Sequence, residues 1–218
     1  MKDEYEPLPL YKQTLPRSCL AASLIMVLHH FEPEKYPLTK ENEHKIHGRL
    51  KFKHAELYGS SYPKAVNFLL ERGYRVKLYL GSMPYDPHPV DIVKYGEALH
   101  EFVEDLNRAL LKQRFSLVID PSKYKELEKE IDELLHGGHK IIACLHKRTH
   151  NVVVFDKEKE HYIVLDSRKG VLKLSGNQLR KDAFTVVLYV YCYETGLKSS
   201  CPPENLVWGS IRFARLNA

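Results

Sequence analysis

The sequence predicts an α+β protein: a helical N-terminal half packed on an antiparallel β-sheet C-terminal half. Residues 1–136 carry the segments with helical periodicity, and residues 137–218 carry β-branched and aromatic runs divided by turn residues. That segregation argues against alternating βαβ units. A length of 218 residues suits one domain over 1–218 and is enough to bury a core.

The elements follow in order. Residues 1–16 carry Pro7, Pro9 and Pro16 and read as an extended arm or loop. Leu20 to Leu28 is apolar at nearly every position and rich in good helix formers, so it predicts a helix buried on most sides. Pro16 and Ser18 supply its start signals and put Cys19 in the first turn. The polar stretch 32–58 reads as loop and short helix. SSYPKAVNFLLERGY has a serine cap, an early proline and Gly73 at its end, the punctuation of a helix. Tyr74–Leu80 alternates and predicts a strand, GSMPYDPHP a loop, and residues 96–113 an amphipathic helix. Phe115–Ile119 is a short apolar run, and residues 121–136 form a second charged helix stopped by Gly137 and Gly138. KIIACLH, HNVVVFD, HYIVLDS, GVLKLS and FTVVLYVYCY then read as successive strands of an antiparallel sheet.

Composition narrows the function classes. Hydrophobic residues make up 44% and charged residues 28%, an ordinary globular balance. The net charge of +5 is spread along the chain and does not point to nucleic acid. No apolar stretch is long enough to span a membrane, and the acidic, proline-bearing N-terminus is unlike a signal peptide, so a cytoplasmic location is expected. Cys19, Cys144, Cys192 and Cys201 have no CxxC spacing, so neither a structural zinc nor a disulfide framework is expected. Cys144 reads as core, and Cys192 and Cys201 as reduced thiols. The pairs His29-His30, His44-x2-His47 and His136-x2-His139 lack third and fourth ligands, and no glycine-rich phosphate loop is present. No metal and no cofactor is expected.

The chemistry-bearing residues are Cys19, Gln13, His150 and Asp166. A thiol in the first turn of a helix faces unsatisfied N–H groups and the positive end of the dipole, both of which favour thiolate. Gln13, six residues earlier in the loop feeding the helix, can donate its amide to an oxyanion. A hairpin through Asp156–Glu160 would bring His150, at the start of one strand, and Asp166, at the end of the next, to the same sheet edge. The carboxylate could then hold the Nδ1–H tautomer and leave Nε2 for the thiol.

As a set, Gln13-x5-Cys19 opening an Ala/Leu-rich helix, His150-Asn-Val-Val-Val and Tyr162-Ile-Val-Leu-Asp166 resemble the papain-like peptidases that process bacteriocin leader peptides (double-glycine peptidases). LLERGY before a strand and LLHGGHKIIACL before the histidine strand follow the same order. The resemblance implies a papain-like cysteine peptidase fold and hydrolysis of a peptide or protein substrate. It matches Cys19 to the nucleophile, His150 to the general base, Asp166 to the orienting acid and Gln13 to the oxyanion donor. The chain departs from the family at Leu20, where glycine usually follows the nucleophile, and in the long charged segment 81–125. Two other readings stand beside hydrolysis: a catalytically silent peptide-binding module on this scaffold, and acyl transfer to an amine, as in transglutaminase-like proteins.

Overall fold

A computed structural model describes residues 8–54, 59–80, 92–119, 124–145, 150–183 and 186–191. The expected GSMPYDPHP loop, Cys192 and Cys201 lie outside these residues. The helices are α1 (Cys19–Phe31), α2 (Lys40–Leu50), α3 (Tyr62–Leu70), α4 (Ile92–Leu110), α5 (Tyr124–His136) and α6 (Gly176–Ala183). The strands are β1 (Arg75–Leu80), β2 (Phe115–Ile119), β3 (Lys140–Leu145), β4 (His150–Glu158), β5 (His161–Asp166), β6 (Gly170–Ser175) and β7 (Val186–Tyr191).

The strands form a seven-stranded sheet in the order β2-β1-β7-β3-β4-β5-β6. This corrects the expected division into a helical half and a sheet half. β1 and β2 come from the first half, yet β1 pairs antiparallel with β7 and so joins the C-terminal strands. β2 pairs parallel with β1, with α4 as the crossover, so the sheet is mixed.

The alternation of each central strand explains why helices cover both faces. On β3, Ile142 and Cys144 pack with α1–α4, while Ile141, Ala143 and Leu145 pack against Ile131 and Leu135 of α5 and Leu179 of α6. β7 divides likewise, with Leu188 and Val190 to one side and Val187 and Tyr189 to the other. Central strands buried on both sides read as continuous apolar runs, which conceals the second helical layer from a sequence reading. α6 is the element that reading missed: GNQLRKDA has low mean hydropathy, and Leu179 is the residue of it described in the core.

α1 runs through the first layer with every residue from Cys19 to Leu28 buried. Its start differs from expectation, because the Ser18 side chain does not cap the helix. Ser18 Oγ donates instead to Leu15 O and to the Glu43 carboxylate. Arg17, at φ 59°, makes the left-handed bend that turns the arm into the helix. The cap expected at α3 is present: Ser61 accepts from Lys64 N–H, and Pro63 sits in the first turn. Gly73 (φ +88°) and Gly138 (φ +76°) end α3 and α5 in the left-handed region. Space around Gly138 would admit a Cβ, so the φ alone penalises a side chain there. Gly138→Ala is expected to lower stability by about 1 kcal/mol in thermal or urea unfolding. Among the described residues, no helix is long and apolar enough to cross a membrane.

Candidate active site

Three segments converge at one end of the sheet. Cys19 is the first residue of α1 and is 7% exposed. His150 is the first residue of β4, and Asp166 is the last of β5. β4 and β5 pair antiparallel from Glu158↔His161 to Val153↔Leu165, which brings the start of one beside the end of the other. His150 is 3% exposed and Asp166 1% exposed, so the pair is desolvated.

His150 Nε2 lies 2.8 Å from Asp166 Oδ1. This is the other ring nitrogen from the one expected to meet the carboxylate. The thiol and the imidazole each favour the other's charged form. Asp166 Oδ1 also accepts the Arg168 and Lys169 N–H groups at 2.7 and 3.1 Å. The turn after β5 thus fixes the carboxylate that fixes the imidazole.

The charges are mutually supporting. Burial pushes the Cys19 thiol up, but hydrogen bonds from His150 and from the Asn151 side chain and backbone, with the charge of the imidazole, bring it below its ordinary range. Burial pushes His150 down, and its bonds and charge interactions with Cys19 and Asp166 carry it above the usual histidine value. Burial likewise raises Asp166, and the Arg168 and Lys169 amides with His150 more than reverse that. A depressed thiol beside an elevated imidazole is the condition for a thiolate–imidazolium pair.

Gln13 sits at the same end. Its N–H donates to Ser167 O at 3.1 Å, and Ser167 Oγ donates to its Oε1 at 2.9 Å. Those bonds tie the arm to the residue after Asp166. They also set which end of the amide carries the donors: Nε2 donates one hydrogen to Leu15 O at 3.1 Å and has a second to give. Between arm and turn lies a cleft of about 250 Å³, lined by Leu10, Lys12 and residues 166–170, with Lys12, Arg168 and Lys169 as its cations.

Two parts of the site went unread in the sequence. Asn151 Nδ2 lies 3.3 Å from Cys19 Sγ, and Tyr62 OH donates to Asn151 Oδ1. The available signal was alternation: Asn151 occupies the same strand face as Val153, which packs in the α1 layer. A polar side chain in a core-facing register needs a partner. Glu43 on α2 carried no such signal. It is fully buried and accepts from Tyr11 OH (3.0 Å), Thr14 N–H (2.9 Å), Thr14 Oγ1 (2.5 Å), Leu15 N–H (3.3 Å) and Ser18 Oγ (2.5 Å). This carboxylate gathers the whole arm that leads into Cys19.

A double glycine motif protease from an AMS/PCAT transporter, solved in complex with a leader peptide, superposes with a TM-score of 0.52 at 16% identity, covering 88% of this chain and 96% of that one. The fold resembles that of double-glycine peptidase domains. The peptidase domain of Streptococcus ComA, a bifunctional ABC transporter of a quorum-sensing pathway, gives a TM-score of 0.49 at 12% identity over 84% of this chain and 98% of that one. No protein-family model matches the sequence, and no curated protein does either. The mixed sheet and its helices are thus an arrangement that a solved peptidase domain shares.

Proposed function

We propose that this chain is a cysteine peptidase that uses Cys19, His150, Asp166 and Gln13 to cleave peptide bonds. The observation that carries the reading is the buried Cys19–His150–Asp166 series at the start of α1, with the imidazole held at 2.8 Å by the carboxylate. His150 takes the thiol proton. The thiolate attacks the substrate carbonyl, and the Gln13 amide and the Cys19 N–H receive the negative charge on its oxygen. His150 returns the proton to the leaving amine as the C–N bond breaks. Water, deprotonated by His150, then adds to the thioester carbonyl. The C–S bond breaks, and the acid leaves with the thiolate restored.

The protease with which the fold is shared bears a double-glycine motif name and was captured with a leader peptide. On that basis the proposed substrate is a peptide cleaved after two consecutive glycines. Paired glycines suit a thiol this enclosed, because residues without side chains let the backbone come close. The basic cleft beside Asp166 suits an acidic stretch of the same substrate.

The test is cleavage of a synthetic peptide bearing an internal Gly-Gly, read by mass spectrometry, beside the same peptide with Ala-Val in its place. Cleavage after the glycines, abolished in Cys19→Ala, is the expected result. An added amine that captured the acyl group in place of water would turn the reading to acyl transfer. Intact peptide with no Cys19 adduct to an electrophilic peptide probe would turn it to a silent binding module.

A further inference from the structure

We propose that Asn151 is a further catalytic residue, a second hydrogen-bond donor to the Cys19 sulfur, and that Tyr62 is the positioning residue that aims it. This deepens the peptidase reading and rests on it. Asn151 Nδ2 is 3.3 Å from Sγ, and both residues are buried. An asparagine amide could turn through its last torsion and present its oxygen to the sulfur, which a thiolate would repel. Tyr62 favours the opposite orientation. Its hydroxyl donates to Oδ1, so the oxygen is committed away from Cys19 and the amide nitrogen is the end that meets it. Tyr62 is itself fixed as the first residue of α3, capped by Ser61 and followed by Pro63. Asn151 is fixed by the ladder, opposite Cys144 on β3.

The sulfur thus has the amide as a hydrogen-bond donor beside the electrostatic influence of the imidazole. Only the imidazole changes its charge through the cycle. Before attack, the imidazolium balances the thiolate charge. Once His150 has passed its proton to the leaving amine, it is neutral until it takes a proton from the attacking water. During thioester hydrolysis the C–S bond breaks and its electron pair returns to sulfur. At that stage Asn151 supplies a hydrogen bond to the emerging thiolate that does not depend on the protonation of His150. Its side-chain and backbone donors both act to lower the thiol pKa.

The test is the pH profile of iodoacetamide alkylation at Cys19, with the labelled site located by peptide mapping and needing no peptide substrate. Asn151→Ala is expected to slow alkylation about tenfold on the acid side, moving the midpoint up by about one pH unit, as loss of a hydrogen bond to a charged group implies. Tyr62→Phe, which removes one oxygen, is expected to move it the same way by about half as much, with the unfolding midpoint as the control for folding. It is the deciding arm if Asn151→Ala does not fold. A folded Asn151→Ala or Tyr62→Phe protein with the wild-type profile overturns the proposal while leaving the peptidase reading standing. A wild-type Cys19 that titrates like an ordinary thiol overturns both.

Discussion

His150→Ala is expected to slow Gly-Gly peptide cleavage by about 10³-fold or more, with the loss falling on kcat. The substitution removes the proposed general base and, with it, the largest influence holding the Cys19 thiol down against its burial. The sulfur stays buried at the helix start, so burial then works against ionisation with less to oppose it, and the thiol titrates upward. Wild-type activity is expected to have an acid limb set by the depressed thiol and an alkaline limb set by the elevated imidazole. Between them the thiolate–imidazolium pair is the populated form. In His150→Ala the acid limb of iodoacetamide labelling moves up. Stopped-time alkylation across pH, read at Cys19 by mass spectrometry, checks it. Unchanged labelling in a folded His150→Ala protein would show that the imidazole does not ionise this thiol.

Glu43→Gln is expected to cost about 2–3 kcal/mol of stability, the range for hydrogen bonds to a charged group left with a poorer acceptor. The carboxylate is fully buried and, among the described residues, its donors come from the arm: Tyr11, Thr14, Leu15 and Ser18. A glutamine offers one oxygen and turns an NH2 group toward donors. Urea unfolding should give a lower midpoint at unchanged slope. Burial raises the Glu43 pKa, yet the bonds from Ser18, Thr14 and Tyr11 bring it below the ordinary 4.5. A carboxylate depressed on folding stabilises fully above that ordinary value, and the contribution is lost as pH falls through the lower folded value. The wild-type protein therefore loses stability on acidification through that window, and Glu43→Gln loses less. Equal acid slopes in the two proteins would remove Glu43 from this role. The same arm carries Gln13, which links this carboxylate to the proposed oxyanion donor.

Much of the local structure was legible in advance. The α1 helix with Cys19 at its head, the α3 cap and Gly73 stop, and the strands β1 and β3–β7 all follow from periodicity and turn residues. So did the meeting of His150 and Asp166, because a hairpin of known register puts one strand's start beside the next strand's end. What was not legible depends on contacts between distant segments. Tyr62 reaches Asn151 across 89 residues, and Glu43 reaches Thr14 and Ser18 across 29 and 25. Spacing along a chain says nothing about such pairs.

The sequence by itself determined where local elements begin and end, because helical period, strand alternation and turn residues are short-range properties. Only the tertiary structure decided how the elements combine. β7 inserts between β1 and β3 and unites strands from both halves in one sheet. The second face of that sheet had to be covered, so α5 and α6 lie across it from the other helices. Which imidazole nitrogen meets the carboxylate, and which amide meets the sulfur, was settled by the same three-dimensional packing. A hydrogen bond is decided by a few tenths of an ångström, and that distance is set by everything packed around it rather than by neighbours in the chain.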